Sequence, residues 1–351
     1  MRIGIKKIIA LLLIPQVLIL SYFKNNPRIV EEYYSEFIYQ YIFKFYSMLF
    51  SGFSIAIGDL LVLLALISSI IYFIFFFRFK INDFINVFAV ISITIFLFYS
   101  LWGLNYFKTP LLSKFDIGEI KYESLQTTLD RLIDDANEAH LLLGDEDSTL
   151  ENLEFDKEKI ISELKLDNIK KFDKISTTKF AKKSIIPKIF LYQGVSGYIN
   201  PFTLEAIVVE EIPSIDFSIT VLHEQAHQLG YAAEEDANFL AFISSINNQD
   251  PLIKYSGYVF GLSYLLNEIQ INHNDDLSSF TDKINSGIIE DINSRRKFWQ
   301  KYSNNIINSL QNVLYDFYLK SNNQKAGIAS YSRIVNHIIN YYENDRSLSN
   351  Y

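Results

Sequence analysis

Residues Thr220–Phe242 read TVLHEQAHQLGYAAEEDANFLAF. His223 and His227 stand four apart, so a helix places them on one face, where both can reach one ion. Glu224 lies about 100° around that helix, close enough to hydrogen-bond a water on the metal without ligating the metal itself. Zinc lowers the pKa of such a water toward neutrality and polarises a carbonyl; Glu224 is placed to take the water's proton and pass it to a leaving amine. A catalytic zinc takes three protein ligands and keeps a further position for water, so one more ligand is needed. Gly230 is placed to end the helix through a left-handed turn, and a second helix beginning near Ala233 brings back an acid. The candidates are Glu234, Glu235 and Asp236. Glu234 is preferred because Ala237 and Asn238 share its face: the small Ala237 permits close packing against the metal helix, and Asn238 can hydrogen-bond a ligand. Glu235 is the next choice.

The chain has no cysteine, which removes disulfides, thiolate catalysis and every cysteine-bound zinc site. Any metal is therefore held by histidine and carboxylate. At 351 residues there is room for a membrane anchor and one soluble domain of ordinary size. Of the 32 basic and 40 acidic residues, residues 1–107 hold eight and five, which leaves 108–351 with a net charge of −11. So acidic a segment argues against nucleic acid as a partner.

Three stretches, about 8–23, 60–77 and 84–104, are apolar over the roughly 20 residues that a bilayer-crossing helix requires. Pro15 interrupts the first, which membrane helices tolerate. Trp102 and Tyr106, at the end of the third, read as an interfacial aromatic belt. Residues 37–50, aromatic with the single Lys44, read as a helix lying in the interface. Arg2, Lys6 and Lys7 open the chain, but no small-x-small cleavage site follows, so the first stretch reads as an uncleaved anchor. With Arg78 and Lys80 between the second and third spans, these residues favour a cytoplasmic N-terminus. Residues 108–351 then lie outside a bacterial inner membrane, with Lys24, Arg28, Lys44 and Lys108 on the outer side as well.

In the second part, Leu125, Leu129, Leu132 and Ile133 recur at helical spacing, and Gly144 stops that helix. A further helix is expected over 150–166, then a basic turn from Lys182 to Lys188 around Pro187. Ile189–Tyr192 and Ala206–Val209 are short β-prone runs separated by Gly194, Gly197 and Pro201, a strand–loop–strand pattern. The small sheet either serves structure alone or pairs with an extended peptide. His140, near a helix end, reads as a satisfied or capping histidine, and His273 as a solvated one. Tyr255, Tyr258, Tyr331, Arg333 and His337 are candidates for stabilising an oxyanion, and spacing does not choose among them.

Several separated motifs carry a resemblance: SIAIGDLL (54–61), LWGLNYFKTPL (101–111), GVSGYINPFTLEA (194–206), HEQAHQLGYAAEEDANFLAF (223–242), YSGYVFGLSYLL (255–266) and YDFYLKSNNQKAGIASYSRIV (315–335). In this order they resemble the bacterial membrane proteins grouped as domain of unknown function 3810, nearly end to end. The resemblance implies a membrane-anchored zinc metallopeptidase of the gluzincin type, in which two histidines and a downstream glutamate bind zinc. The E-x-x-A-N segment is similar to the E-x-x-A-D of the membrane-embedded CAAX-prenyl and heat-shock metallopeptidases. Carried over, it marks His223, His227 and Glu234 as ligands and Glu224 as the base. Asn238 stands where those families have aspartate, and only six residues separate His227 from Glu234.

The expected architecture is thus an anchor of about three transmembrane helices (1–107) followed by a mainly α, α+β, zincin-like domain (108–351), with a small sheet beside the metal helix. The expected activity is zinc-dependent hydrolysis of a peptide or protein near the membrane. The alternatives are a catalytically idle zinc-containing scaffold and a zinc amidase acting on cell-envelope material.

Overall fold

The computed structural model describes residues 4–114, 121–150, 155–166, 181–303, 306–322 and 331–344. They fall into two compact units, one made of residues up to Thr109 together with Asn200–Glu205, the other of Pro110–Ile199 and the chain from Ala206 onward.

Three helices of the first unit are long and apolar enough to cross a membrane, namely Ile5–Lys24, Ile57–Phe76 and Ile81–Leu101, and on this length and composition the chain is a membrane protein. The first consists of α1 (Ile5–Leu11) and α2 (Leu13–Lys24), parted at Leu12 because the Pro15 ring collides with the carbonyl four residues before it. Next come α3 (Pro27–Ile29), a π-helical turn over Val30–Ile38, and α4 (Tyr39–Phe50) in place of the helix expected over 37–50. The second and third spans contain α5 (Ile57–Ile71) and α6 (Ile81–Leu101). Gln16 Nε2 donates to Ser92 Oγ at 3.0 Å, a polar tie between α2 and α6 of the kind that holds helices together in lipid. The π-helical turn is tied to the end of α6 and the turn beyond it, since Tyr34 Oη donates to the Ser100 carbonyl at 3.1 Å and Ser35 Oγ to Asn105 Oδ1 at 2.8 Å. Trp102 and Tyr106 do not form the exposed belt that the sequence suggests. Both are buried, packed edge to face with ring centroids 5.0 Å apart.

Glu205 closes the start of α5. Its carboxylate accepts from the backbone N–H of Ile57 at 3.2 Å and of Gly58 at 2.6 Å, two of the donors that a helix leaves unpaired at its N-terminus. Asn200 shapes the loop that presents it: its Oδ1 accepts from the Phe202 and Thr203 N–H groups at 2.9 and 3.1 Å. A Cβ on Gly58 would lie 2.6 Å from Asn200 Nδ2, so the loop and the helix meet only through a glycine. The SIAIGDLL and GYINPFTLEA motifs are therefore two halves of one cap.

The second unit is helical around a small sheet. Its first helices are α7 (Tyr122–Leu141) and α8 (Lys157–Glu163), the latter shorter than the helix expected over 150–166, of which residues 151–154 lie outside those described. Asp156 starts α8 by accepting from Lys159 N at 3.0 Å. Strand β1 (Ala181–Lys183) occupies part of the expected basic turn. The β-prone run Ile189–Tyr192 is instead helical within α9 (Pro187–Gln193): Pro187 sits at the position where its fixed φ starts a helix, and Gly194 ends it at φ 75°. Strands β2 (Gly197–Ile199) and β3 (Ala206–Val208) complete a three-stranded sheet of order β1-β3-β2, with β1 parallel and β2 antiparallel to β3. After the sheet come α10 (Ser214–Gln228), α11 (Glu234–Ile246), α12 (Pro251–Asn272), α13 (Leu277–Thr281), α14 (Ser286–Gln300), α15 (Ile306–Ser321) and α16 (Tyr331–Glu343). Leu129, Leu132, Phe217, Val221, Phe239, Phe242 and Leu262, from α7, α10, α11 and α12, are fully buried in one core, and β3 packs its Ala206 and Val208 into it.

Replacing Glu205 by Ala strips two helix N–H groups of their acceptor and should cost about 1–3 kcal/mol. The measurement is thermal or denaturant unfolding of the full chain in detergent. Glu205→Gln, which keeps an acceptor oxygen, should lose less; an unchanged midpoint in the Ala variant would refute the cap.

Candidate metal centre

The helix α10 is pinned along its length. Near its start, Asp216 accepts from Arg295 Nε at 2.5 Å and Trp299 Nε1 at 3.0 Å, both on α14. Further on, the buried Gln225 side chain accepts from Leu166 N at 3.0 Å and donates to the Leu164 carbonyl at 2.7 Å. That leaves Gln225 bracing the exit of α8 while its neighbours His223, Glu224 and His227 are held in fixed rotational order.

The helix stops through a glycine reversal. Gly230 has φ 86°, its N–H bonds to the His227 carbonyl at 2.9 Å, and the Tyr231 N–H reaches back to the Ala226 carbonyl at 3.1 Å. This pair of bonds is the Schellman motif, and the left-handed conformation costs glycine least. The reversal also fixes His227, whose Nδ1 lies 2.7 Å from the Tyr231 carbonyl. A carbonyl only accepts, so Nδ1 carries a proton and Nε2 is the ring nitrogen turned toward Glu234.

Helix α11 begins at Glu234 and returns that side chain to the histidines. Glu234 Oε2 lies 3.3 Å from His223 Nε2, and Oε1 lies 3.6 Å from His227 Nε2. One donor atom from each of the three residues falls within 4.8 Å of the other two. The other two acids are committed elsewhere. Glu235 is buried and pairs with Arg333 Nη1 on α16 at 3.2 and 3.3 Å, while Asp236 accepts from the Leu111 and Leu112 N–H groups at 2.7 and 3.0 Å. Of the three candidates, Glu234 is the one that meets both imidazoles.

The donor set suits a small divalent cation. Two ligands held at about 2.0–2.1 Å in a tetrahedron stand about 3.4 Å apart, which is the separation seen between the glutamate oxygens and the imidazole nitrogens. Burial disfavours charge on His227, yet the adjacent Glu234 carboxylate overrides it and lifts the imidazole to about 9. Burial likewise opposes the Glu234 anion, but His227 and His223 hold it well below the ordinary carboxylate range. The cluster thus draws positive charge toward a buried point.

Glu224 stands beside this point. It is buried, and its Oε2 has no hydrogen-bond partner. Burial pushes its carboxyl above the usual range, against the pull of His223 and His227. Strand β2 passes directly over it: a Cβ on Gly197 would lie 2.9 Å from Glu224 Cγ and 2.7 Å from Thr220 Cγ2. As the outer strand of the sheet, β2 has one edge not paired to β3.

A further contact comes from α15, where Tyr315 Oη donates to Glu234 Oε1 at 2.7 Å. Tyr315 is 81 residues from Glu234 and follows no motif spacing, so nothing in the sequence singles it out. Tyr255, one of the three candidate tyrosines, lies elsewhere. Its hydroxyl donates to Asp291 Oδ2 at 2.8 Å and its ring stacks on His140 at 5.3 Å, within a buried network where His140 Nε2 meets the Ser148 carbonyl at 2.8 Å. Arg333 serves Glu235, and His337 lies against Phe239 with its pKa lowered to about 4 by burial and by Arg333. Tyr258 is buried on α12, and the side chain of Tyr331 lies outside those described. His273 stacks on Tyr122 at 3.9 Å.

No curated protein and no solved structure matches the chain. A family model does, across residues 34–339, a span that takes in α5, α6 and every residue of the histidine–glutamate cluster. The chain belongs to the family described as "Protein of unknown function (DUF3810)".

Proposed function

We propose that this protein is a membrane-anchored, zinc-dependent metallopeptidase with a zincin-like domain of the gluzincin type, acting on a peptide or protein at the outer face of a bacterial inner membrane. The observation that carries the reading is the convergence of His223, His227 and Glu234 on one point beside the partnerless carboxylate oxygen of Glu224. Zinc bound by the two imidazoles and Glu234 would supply a Lewis acid that polarises a peptide carbonyl and acidifies water. Glu224 takes the proton of the attacking water and delivers it to the leaving amine; its raised pKa suits a carboxylate that must hold the proton between those steps. The Tyr231 carbonyl fixes the tautomer of His227 and aims its Nε2 at the cluster. Tyr315 donates to Glu234 Oε1, the oxygen nearer His227, and so helps to hold that carboxylate in place. As the outer strand among the described residues, β2 would offer its edge to an extended peptide, and Gly197 lets that strand lie close to Glu224.

Glu224→Gln should retain zinc and lose about 10²–10⁴-fold in turnover. Zinc content of the purified chain, and comparison of cleaved peptides in membrane fractions of the two strains, are the measurements. A wild-type chain that holds zinc stoichiometrically but shows no cleavage difference from the variant would favour an idle zinc-binding scaffold; release of cell-envelope amide fragments in place of protein fragments would favour an amidase. Glu234→Ala should deplete zinc, whereas Glu235→Ala should leave it bound and lower stability instead; the reverse ranking would overturn the ligand assignment. Tyr315→Phe should weaken zinc binding by about tenfold, the lower end of what a partner hydrogen-bonded to a ligand contributes, as read by chelator competition on the full chain. Unchanged affinity would leave Tyr315 with a packing role only.

A further inference from the structure

Helix α15 is amphipathic the wrong way round for a protein surface in water. At about 100° per residue, Asn308, Tyr315 and Leu319 fall on one side of it. That side faces its own unit: Asn308 Nδ2 donates to the Gln193 carbonyl at 3.2 Å, Tyr315 to Glu234, and Leu319 is 1 % exposed. The opposite side carries Ile306, Ile307, Leu310, Val313, Leu314 and Phe317, a stripe about 120° wide. These six are 54–87 % exposed. A helix on a water-facing surface buries its apolar stripe and exposes its polar one. Here Asn308 and Tyr315 share the inward side with Leu319, and a continuous run of large aliphatic and aromatic side chains is turned out, a patch of a size that marks a binding surface.

We propose that this outer stripe of α15 rests on a lipid surface. A bilayer is the one apolar partner that the polypeptide always has within reach, because the same chain carries three helices able to cross it. Pro110, where the second unit begins, follows the last residue of α6 by nine residues, and the chain enters the first unit again at Asn200–Glu205. Tethering of this kind makes a weak contact effective by raising its local concentration. The charge pattern agrees. Within α15 the only ionised side chains, Asp316 and Lys320, pair with each other at 2.6 Å, so the helix brings no net charge to the surface, and the long Lys320 stem can keep its ammonium in the headgroup layer. Since Tyr315 stands on the inner side of the same helix, lipid contact and the grip on Glu234 are properties of one rigid element.

The inference stands apart from peptide hydrolysis and is tested without it. The chain has no cysteine, so a single introduced one carries a label with no background. Leu310→Cys, Val313→Cys and Phe317→Cys on the stripe, and Gln311→Cys and Asn312→Cys off it, are labelled with an environment-sensitive fluorophore. The full chain is then placed in vesicles of phosphatidylethanolamine and phosphatidylglycerol containing lipid with a nitroxide on its acyl chain. The three stripe positions should be quenched several-fold more than the other two, with helical periodicity. A second preparation carrying Val313→Lys together with Phe317→Lys should lose the quenching at position 310 while keeping the helical content of the parent chain by circular dichroism. Equal quenching at all five positions would overturn the proposal, as would disulfide cross-linking of Val313→Cys between two chains in the same vesicles, which would assign the stripe to a second copy.

Discussion

Six residues separate His227 from Glu234, and within them one helix has to end, the chain has to reverse, and a second helix has to begin with its first side chain pointing back. That constraint governs the second unit. A reversal so short is reached through a left-handed residue at Gly230, with the bonds from Gly230 and Tyr231 satisfying carbonyls at the end of α10. The same turn brings the Tyr231 carbonyl onto His227 and sets α11 against α10. The meeting of His227 with Glu234 and the packing of α11 on α10 are consequences of one local conformation, so neither can be altered without the other.

The acidic run that opens α11 is resolved by giving each carboxylate its own source of positive potential. Glu234 has the two imidazoles and the Tyr315 phenol, Glu235 has Arg333, and Asp236 has two backbone N–H groups preceding α7. Three adjacent acids on a buried helix start would otherwise repel one another in a medium that screens little. Their position in the first turn of α11 also sets them at the favourable end of its dipole. The partition assigns distinct roles to residues that are chemically alike: one acid turns toward the histidines, one joins α16, and one fastens the segment around Leu111.

What the sequence makes legible follows from the range over which each interaction acts. The His223–Glu224–His227 face, the turn at Gly230 and the start of α11 are all set by near neighbours, and helical periodicity reveals them. Length and hydropathy reveal the three apolar helices in the same way. The run Ile189–Tyr192 is misleading because β-propensity competes there with a proline start and a glycine stop, and over seven residues those end signals decide the matter. Choosing between Glu234 and Glu235 takes Arg333, nearly a hundred residues on. The pairing of Glu205 with the start of α5 spans 147 residues, and that of Tyr315 with Glu234 spans 81; no local pattern encodes either. The aromatic motif at 101–111 reads as a membrane-interface signature, yet Trp102 and Tyr106 are interior residues, since the same residue types suit both settings.

Two features of the second unit, the buried carboxylate of Glu224 and the outward face of α15, stand out. Gln225, Asp236 and Asp291 are buried and each has hydrogen-bond partners, whereas Glu224, one position from Gln225, keeps an oxygen that has none. The large apolar residues of α10 and α11 are buried, whereas α15 turns Ile306, Leu310, Val313 and Phe317 outward. A lone unpaired carboxylate oxygen and an outward apolar stripe each cost stability in a protein considered by itself, by amounts that a fold holding only about 5–15 kcal/mol in all would not carry without return. On the readings proposed above, both would become favourable once something is added from outside, a proton-bearing ligand at Glu224 and an apolar surface at α15. Glu234 and Tyr315 join α11 to α15 through one hydrogen bond, so the carboxylate that meets both imidazoles is held by the helix that carries the outward apolar stripe.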